Sequence, residues 1–214
     1  MEYKGAIFDM DGLLFDTERV YQQTWNEIAK EDGIKLDNNF VKEISGTSGV
    51  HMCRVVEKNY HVSDGSAIIN ECMKRVKEKL SLHVPIKKGV FEILNFFQKK
   101  EIRMAVASSS AVEQIISNLE IAGIRNYFSE IVSGKEVEHG KPAPDIFLLA
   151  AKRICCDPAK CFVFEDSENG IKAGYAAGCM TVMVPDLVEA SPEILPYCTM
   201  ICSDLIHAKI KILT

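Results

Sequence analysis

The sequence predicts an α/β protein, a doubly wound parallel-sheet core with an inserted all-helical domain. Three observations predict it. Short apolar runs of strand length recur, and the later ones lack polar alternation, as strands covered on both faces of a parallel sheet do. Amphipathic helical segments separate those later runs, which implies right-handed helical crossovers. Residues 17–84 carry helical patterns and no strand-like run.

The first strand is "AIFDM" (6–10). The inserted region follows, with helical patterns in "TERVYQQTWNEIAKEDGI", "NNFVKEISG", "SGVHMCRVVEKNYHV" and "AIINECMKRVKEKLSL". Its joints fall near Asp16–Thr17 and His83–Gly89, so the core is 1–16 with 85–214 and the insertion is 17–84. "GVFEILNFFQKK" (89–100) has apolar residues at 90, 93, 94 and 97, a helical stripe. "IRMAVAS" (102–108) is the second strand, and "AVEQIISNLEIAG" (111–123) is a helix stopped by Gly123. "PDIFLLAAKRI" (144–154) opens with proline, which suits a helix N-terminus. "CFVFED" (161–166), "SENGIKAGYAAG" (167–178) and "CMTVMV" (179–184) complete the alternation. In the tail, 186–214, a short helix and an edge strand around "TMIC" are expected.

Bulk properties exclude several roles. The 214 residues suffice for one sizeable core or a core with a smaller insertion. A net charge of -5 and a pI near 5.6 offer no basic surplus for nucleic acid or anionic lipid. No segment approaches the roughly 20 apolar residues that span a bilayer, and the N-terminus lacks a signal-peptide pattern. The eight cysteines form no C-x-x-C pair, and the five histidines lack ligand spacing. They read as free thiols in a reducing cytosol, without a zinc site. A cytoplasmic location is therefore expected.

The candidate chemistry sits at strand ends. Asp9 and Asp11 end the first strand, Ser108 the second, and Glu165 with Asp166 the third of the four runs. Open α/β sheets bind ligands along that edge. Residues i and i+2 of an extended chain face one side, so Asp9 and Asp11 can share a cavity, and Gly12 lets the chain turn away. Four converging carboxylates would repel one another unless a hard divalent cation, Mg²⁺ first, neutralised them. Lys141, in the proline-closed loop "HGKPAPD", adds a positive charge. Ser108, with the backbone N–H groups of Ser109 and Ser110, faces a helix N-terminus suited to phosphate oxygens. Carboxylate, cation, lysine and this cradle together fit phosphoryl transfer.

"FDMDGLLFDTE", "VASSS", "GKPAPD" and "FEDSENGI" resemble the four motifs of the haloacid dehalogenase superfamily, and specifically its β-phosphoglucomutase-like branch with a helical cap. The resemblance implies a Rossmann-like core and assigns roles. Asp9 would be the nucleophile that becomes an aspartyl-phosphate. Asp11 would be general acid, then general base. Ser108, Ser109 and Lys141 would bind the phosphoryl group, with Lys141 bridging it to Asp9. Asp9, Asp166 and the backbone carbonyl of Asp11 would hold Mg²⁺, with Glu165 as a direct or outer partner. The 17–84 segment would be a cap excluding water, and Thr17 lies where the family's hinge lies. Trp25, on the first cap helix, and Gly46, Thr47 and Ser48, in the family's specificity-loop position, would face substrate.

Each feature has a plainer reading. Asp9–Asp11 alone could be a turn, Ser108 an N-cap, Glu165–Asp166 caps of the next helix, and Trp25 cap core. Phe91, Phe96 and Phe97 read as core, "KRVKEK" (74–79) as a solvated face, and His51, His61, His139 and His207 as unpartnered. Four such coincidences at four strand or loop ends make the joint plain reading the weaker one. Within the branch, a mutase would carry a cap histidine and a specificity-loop arginine; those positions hold Tyr21 and Gly49, with Arg54 nearby. The sequence therefore points to a Mg²⁺-dependent phosphatase of small phosphorylated metabolites, sugar phosphates first. A β-phosphoglucomutase-type mutase is the alternative, and a non-catalytic binding or regulatory module the second. A self-contained core and cap need no partner, so a monomer is expected, with a dimer left open.

Overall fold

The computed structural model describes residues 3–37, 39–44, 47, 49–187 and 189–213. The chain divides into two compact units, Met1–Asp16 with Pro85–Thr214, and Thr17–Val84.

The first unit is built on a six-stranded sheet, all parallel, in the order β3-β2-β1-β4-β5-β6. Its strands are β1 (Gly5–Phe8), β2 (Arg103–Ser108), β3 (Glu130–Ser133), β4 (Cys161–Glu165), β5 (Met180–Met183) and β6 (Met200–Ile201). β3 is absent from the sequence-based expectation. Its four residues, Glu-Ile-Val-Ser, make no apolar run, because an outer strand has only one sheet neighbour and tolerates a polar start. β6 is the short edge strand expected around "TMIC".

The unit's helices, numbered in chain order after those of the second unit, are α5 (Val90–Lys99), α6 (Val112–Ile121), α7 (Asp145–Arg153), α8 (Glu168–Ala176) and α9 (Leu205–Leu213). Alternation along the strands assigns residues to faces. Ile7, Ala105, Ala107 and Val163 pack with Ile146, Phe147, Ala150 and Ala173 of α7 and α8. Phe8 and Phe164, on the other face, stack at 4.6 Å and 7°, and both meet Phe97 of α5 edge-on. Helices on both faces explain why β1 and β4 are buried throughout. The stripe Val90, Ile93, Leu94 and Phe97 is buried, but Phe91 is 43% exposed and Phe96 only half-buried, which corrects the expectation that all three phenylalanines are core. Residue 91 lies a helical step of about 100° away from that stripe.

The segments that leave and re-enter this unit pair with each other. Phe15 bridges Ile86 antiparallel, and the Asp16 N–H donates to Pro85 O at 2.9 Å.

Among its described residues the second unit is all helical: α1 (Thr17–Glu31), α2 (Phe40–Ile44), α3 (Gly49–Tyr60) and α4 (Ser66–Leu82). Trp25, Phe40 and Tyr60 form an aromatic trio with ring centroids 5.9–6.2 Å apart, and Tyr60 donates to Trp25 O at 2.7 Å. The "KRVKEK" run is less free than expected. Arg75 binds Glu31 and Glu71, Lys79 binds Glu27, and Val76 is buried, so this face ties α4 to α1. Two histidines also depart from expectation: His139 meets Asp145, and His207 approaches Ser203. All eight cysteines are free thiols. Among the described residues no helix is long and apolar enough to cross a membrane.

Candidate active site

The strand order reverses between β1 and β4, and ligand crevices of open α/β sheets form at such a switch point. Register then places the acids. Phe8 pairs with Phe164, so the next residues, Asp9 and Glu165, stand side by side where the strands end. The Asp9 N–H donates to Phe164 O at 3.0 Å and keeps that alignment past the strand. Asp9 is 7% exposed and Glu165 is wholly buried.

Lys141 joins them. Its Nζ donates to Asp9 Oδ1 and to Glu165 Oε1, and to Ala107 O at 3.3 Å. Phe147 of α7 lies beneath it, 5.0 Å from ring centroid to Nζ, a cation–π contact. The loop bearing Lys141 is closed by Asp145, whose Oδ2 accepts from the His139 N–H at 3.3 Å.

Glu165 is engaged at both oxygens. Oε2 accepts from the N–H and the hydroxyl of Ser167, at 3.1 and 2.9 Å. Ser167, rather than Glu165 or Asp166, is the N-cap of α8, accepting from the Gly170 N–H at 3.1 Å. The fit is close: a Cβ at Gly170 would lie 1.9 Å from Glu165 Cδ. Gly12 is required twice over. Its φ is +80°, and a Cβ there would lie 2.2 Å from Asp166 Oδ2.

Asp9, Glu165 and Asp166 each bring an oxygen within 4.8 Å of the others. Three carboxylates facing the one ammonium of Lys141 leave an excess of two negative charges when all are ionised. Burial pushes Asp9 up to about 7, and Glu165 and Asp11 push the same way against the pull of Lys141. Burial, then Glu165 and Asp9, raise Asp166 well above the ordinary carboxylate range. Burial opposes the charge on Lys141, but Asp9 and Glu165 outweigh it and hold the ammonium above its usual value. A donor set of oxygens alone with this surplus of charge fits a hard divalent cation.

Asp11 stands apart from that trio of carboxylates. Its Oδ2 accepts from the Ser110 hydroxyl at 3.1 Å, while Asp9 turns to Lys141. The two aspartates thus carry different partners.

Ser108 is 1% exposed, and its Oγ accepts the Ser110 N–H at 3.1 Å. Its own hydroxyl hydrogen remains a donor for a ligand. Two details correct the expected phosphate cradle. The Ser110 N–H is spent on Ser108, and the N-cap of α6 is Ala111, because the chain runs on through Ser109 and Ser110 before turning into the helix. Ser109 is exposed.

In the helical unit Trp25 is 3% exposed, a core residue of that unit. The Thr47 hydroxyl turns back to Ile44 O at 2.7 Å. Gly46 and Ser48 lie outside the described residues. Sequence reasoning missed the side chains of Ser110, Ser133, Phe147 and Ser167. The triple serine of "VASSS" was the available signal for Ser110; Ser133 ends the strand that no apolar run revealed.

A family model for haloacid dehalogenase-like hydrolases matches residues 6–184, which spans all of these groups. The chain belongs to the haloacid dehalogenase-like hydrolases. This hydrolase is 33% identical over 184 residues to fructose-1-phosphate phosphatase YqaB of Escherichia coli, covering 85% of this chain and 96% of that one. It is 32% identical over 179 residues to a phosphorylated carbohydrates phosphatase of Thermotoga maritima, covering 82% of each. A solved Thermotoga maritima protein, described as a candidate β-phosphoglucomutase, superposes with a TM-score of 0.83 at 27% identity and full coverage of both chains. Membership in an enzyme family, together with the Asp9–Lys141 pair, sets aside the non-catalytic reading.

Proposed function

We propose that this hydrolase is a Mg²⁺-dependent phosphatase of small phosphomonoesters, sugar phosphates first, working through an aspartyl-phosphate on Asp9. One observation carries the reading: a buried carboxylate, Asp9, held by Lys141 at the switch point beside Glu165 and Asp166. The two phosphatase relatives supply the substrate class.

Asp9, Asp166 and the backbone carbonyl of Asp11 would hold the cation. When bound, it would neutralise the carboxylates and draw charge from the phosphoryl oxygens. The engagement of both Glu165 oxygens supports a role as the partner that aims Lys141, with no direct bond to the metal.

The Asp9 carboxylate attacks phosphorus and forms a new P–O bond as the bond to the leaving oxygen breaks. Asp11 gives that oxygen its proton. The ammonium of Lys141 favours the ionised form of Asp9 against the effect of its burial and then faces the transferring oxygens. The Ser108 hydroxyl donates to one of them. In the second half, water attacks phosphorus, Asp11 takes its proton, and the Asp9–phosphorus link breaks to release phosphate. The helical unit, Thr17–Val84, serves as the family's cap and selects the substrate by size.

The test is phosphate release from a panel of phosphomonoesters with Mg²⁺. The expected result is turnover concentrated in sugar phosphates and lost on chelation. No release from any member of the panel would overturn the reading. The likeness to the mutase candidate favours one alternative, so β-glucose 1-phosphate belongs in the panel. Isomerisation to glucose 6-phosphate with little free phosphate would replace hydrolysis with phosphoryl return to sugar. The absence of the mutase-type histidine and arginine at Tyr21 and Gly49 argues for water as acceptor.

A further inference from the structure

We propose that Ser110 is a positioning residue for Asp11: its hydroxyl, anchored from β3 through Ser133, holds Asp11 Oδ2 and so fixes how this carboxyl group is presented for proton exchange. The inference rests on the reading of Asp11 as the acid–base group.

Ser110 lies between the end of β2 and the start of α6, outside both elements. All of its polar groups are engaged. Its N–H donates to Ser108 Oγ at 3.1 Å, its carbonyl accepts from Ser133 Oγ at 2.6 Å, and its hydroxyl donates to Asp11 Oδ2 at 3.1 Å. A loop residue tied at three points has one orientation where an untied one has several.

The anchor is itself fixed. Ser133, wholly buried at the end of β3, donates its N–H to Glu136 Oε1 at 2.8 Å and accepts from the Lys135 N–H at 3.1 Å. Glu136 is clamped by Arg153, whose Nη1 also donates to Ile131 O at 2.7 Å. A chain of bonds therefore runs from α7 through β3 to the carboxylate of Asp11. The segments also approach closely: a Cβ at Gly134 would stand 3.0 Å from Ser109 Cα.

The chemical consequence follows from the carboxyl group. Its terminal torsion is broad, with two near-equivalent orientations. A donor fixed at Oδ2 restricts that freedom and keeps the carboxyl group in one orientation. In the first half-reaction the Asp11 carboxyl proton passes to the leaving oxygen as the P–O bond breaks. In the second, the Asp11 carboxylate receives a proton from the attacking water. The Ser110 proton stays on Ser110 throughout.

The experiment measures kcat and KM for wild type, Ser110→Ala, Ser110→Thr, Asp11→Asn and the Asp11→Asn/Ser110→Ala double variant, on the best substrate of the panel. Ser110→Ala is expected to lower kcat about tenfold or more, the worth of a hydrogen bond to a charged group, with KM little changed. Ser110→Thr should restore most of the rate. In the Asp11→Asn background Ser110→Ala should cost nothing further, since a positioning residue has no effect without the group it positions. Ser110→Cys, near-isosteric with a weaker donor, asks the same question with packing kept if the alanine variant fails to fold. A wild-type kcat in Ser110→Ala, a loss confined to KM, or additive losses in the double variant would overturn the inference. If Asp11→Asn is slow while Ser110→Ala is unimpaired, only this inference falls. A wild-type rate in Asp11→Asn would remove the acid–base reading beneath it.

Discussion

Two carboxylates one residue apart stand in different surroundings here, which fits the different roles proposed for them. Asp9 is buried against Lys141, and Asp11 is held by Ser110. Replacing Asp9 with asparagine keeps the volume and removes the proposed nucleophile. Turnover should fall by about a thousandfold or more, as expected for loss of a covalent nucleophile, with the circular dichroism spectrum unchanged. Substantial residual turnover would take Asp9 out of that role. Asp9, Asp11, Ser108, Lys141, Glu165 and Asp166 were all legible as candidates, because strand ends and a proline-closed loop are local features of the chain. The pairing of Lys141 with Asp9 came only through the family resemblance, and that of Ser110 with Asp11 was not legible. Which acid meets Lys141, and which meets Ser110, depends on lateral contacts between segments about a hundred residues apart.

At the scale of elements, the β4–α8 junction is the most tightly specified piece of the site. Glu165 ends the strand, Ser167 caps the helix, and Gly170 leaves room for the Glu165 carboxylate. An alanine in a helix is ordinarily favoured over glycine by about 1 kcal/mol. Here Gly170→Ala should do the reverse and destabilise the protein by about 1–3 kcal/mol through overpacking. The added methyl would displace Glu165 from Lys141, so activity should drop as well. Denaturant unfolding beside kinetics checks both, and an unchanged or raised stability would show that the junction relaxes. Most elements were visible as apolar runs and helical stripes. β3 was not, since four residues with polar ends carry too little pattern, yet Ser133 at its tip anchors the Ser110 loop. The tie of α4 to α1 through Arg75 and Lys79 was hidden for a related reason: charged residues on a helix read as solvated until their partners are known.

For the whole molecule, the strand order 3-2-1-4-5-6 brings acids from distant segments to one crevice at an electrostatic cost. That cost has a sign in pH. Asp9 has an ordinary value of 3.8 and is raised to about 7 in the fold, and Asp166 is raised as well. The folded state therefore binds these protons more tightly than the unfolded chain. The stability they contribute in metal-free protein is fully present below the ordinary value and is lost as pH rises through about 7. Mg²⁺ should offset the loss, because a ligand that binds only the folded state stabilises it by mass action. Thermal unfolding from pH 4 to pH 8, with and without Mg²⁺, should show a stabilisation by the ion that grows with pH. A stabilisation that is flat or shrinks over that range would contradict a carboxylate metal site.

The sequence by itself determined the class of fold, most of its strands and helices, and the residue types at each strand end, because periodicity and chain breaks are properties of neighbouring residues. Only the tertiary structure decided the existence of β3, the orientation of the two aspartates toward different partners, and the burial that raises Asp9 toward neutrality. Those properties arise from strand order, register and exclusion of water, which bring together groups that the chain itself keeps far apart.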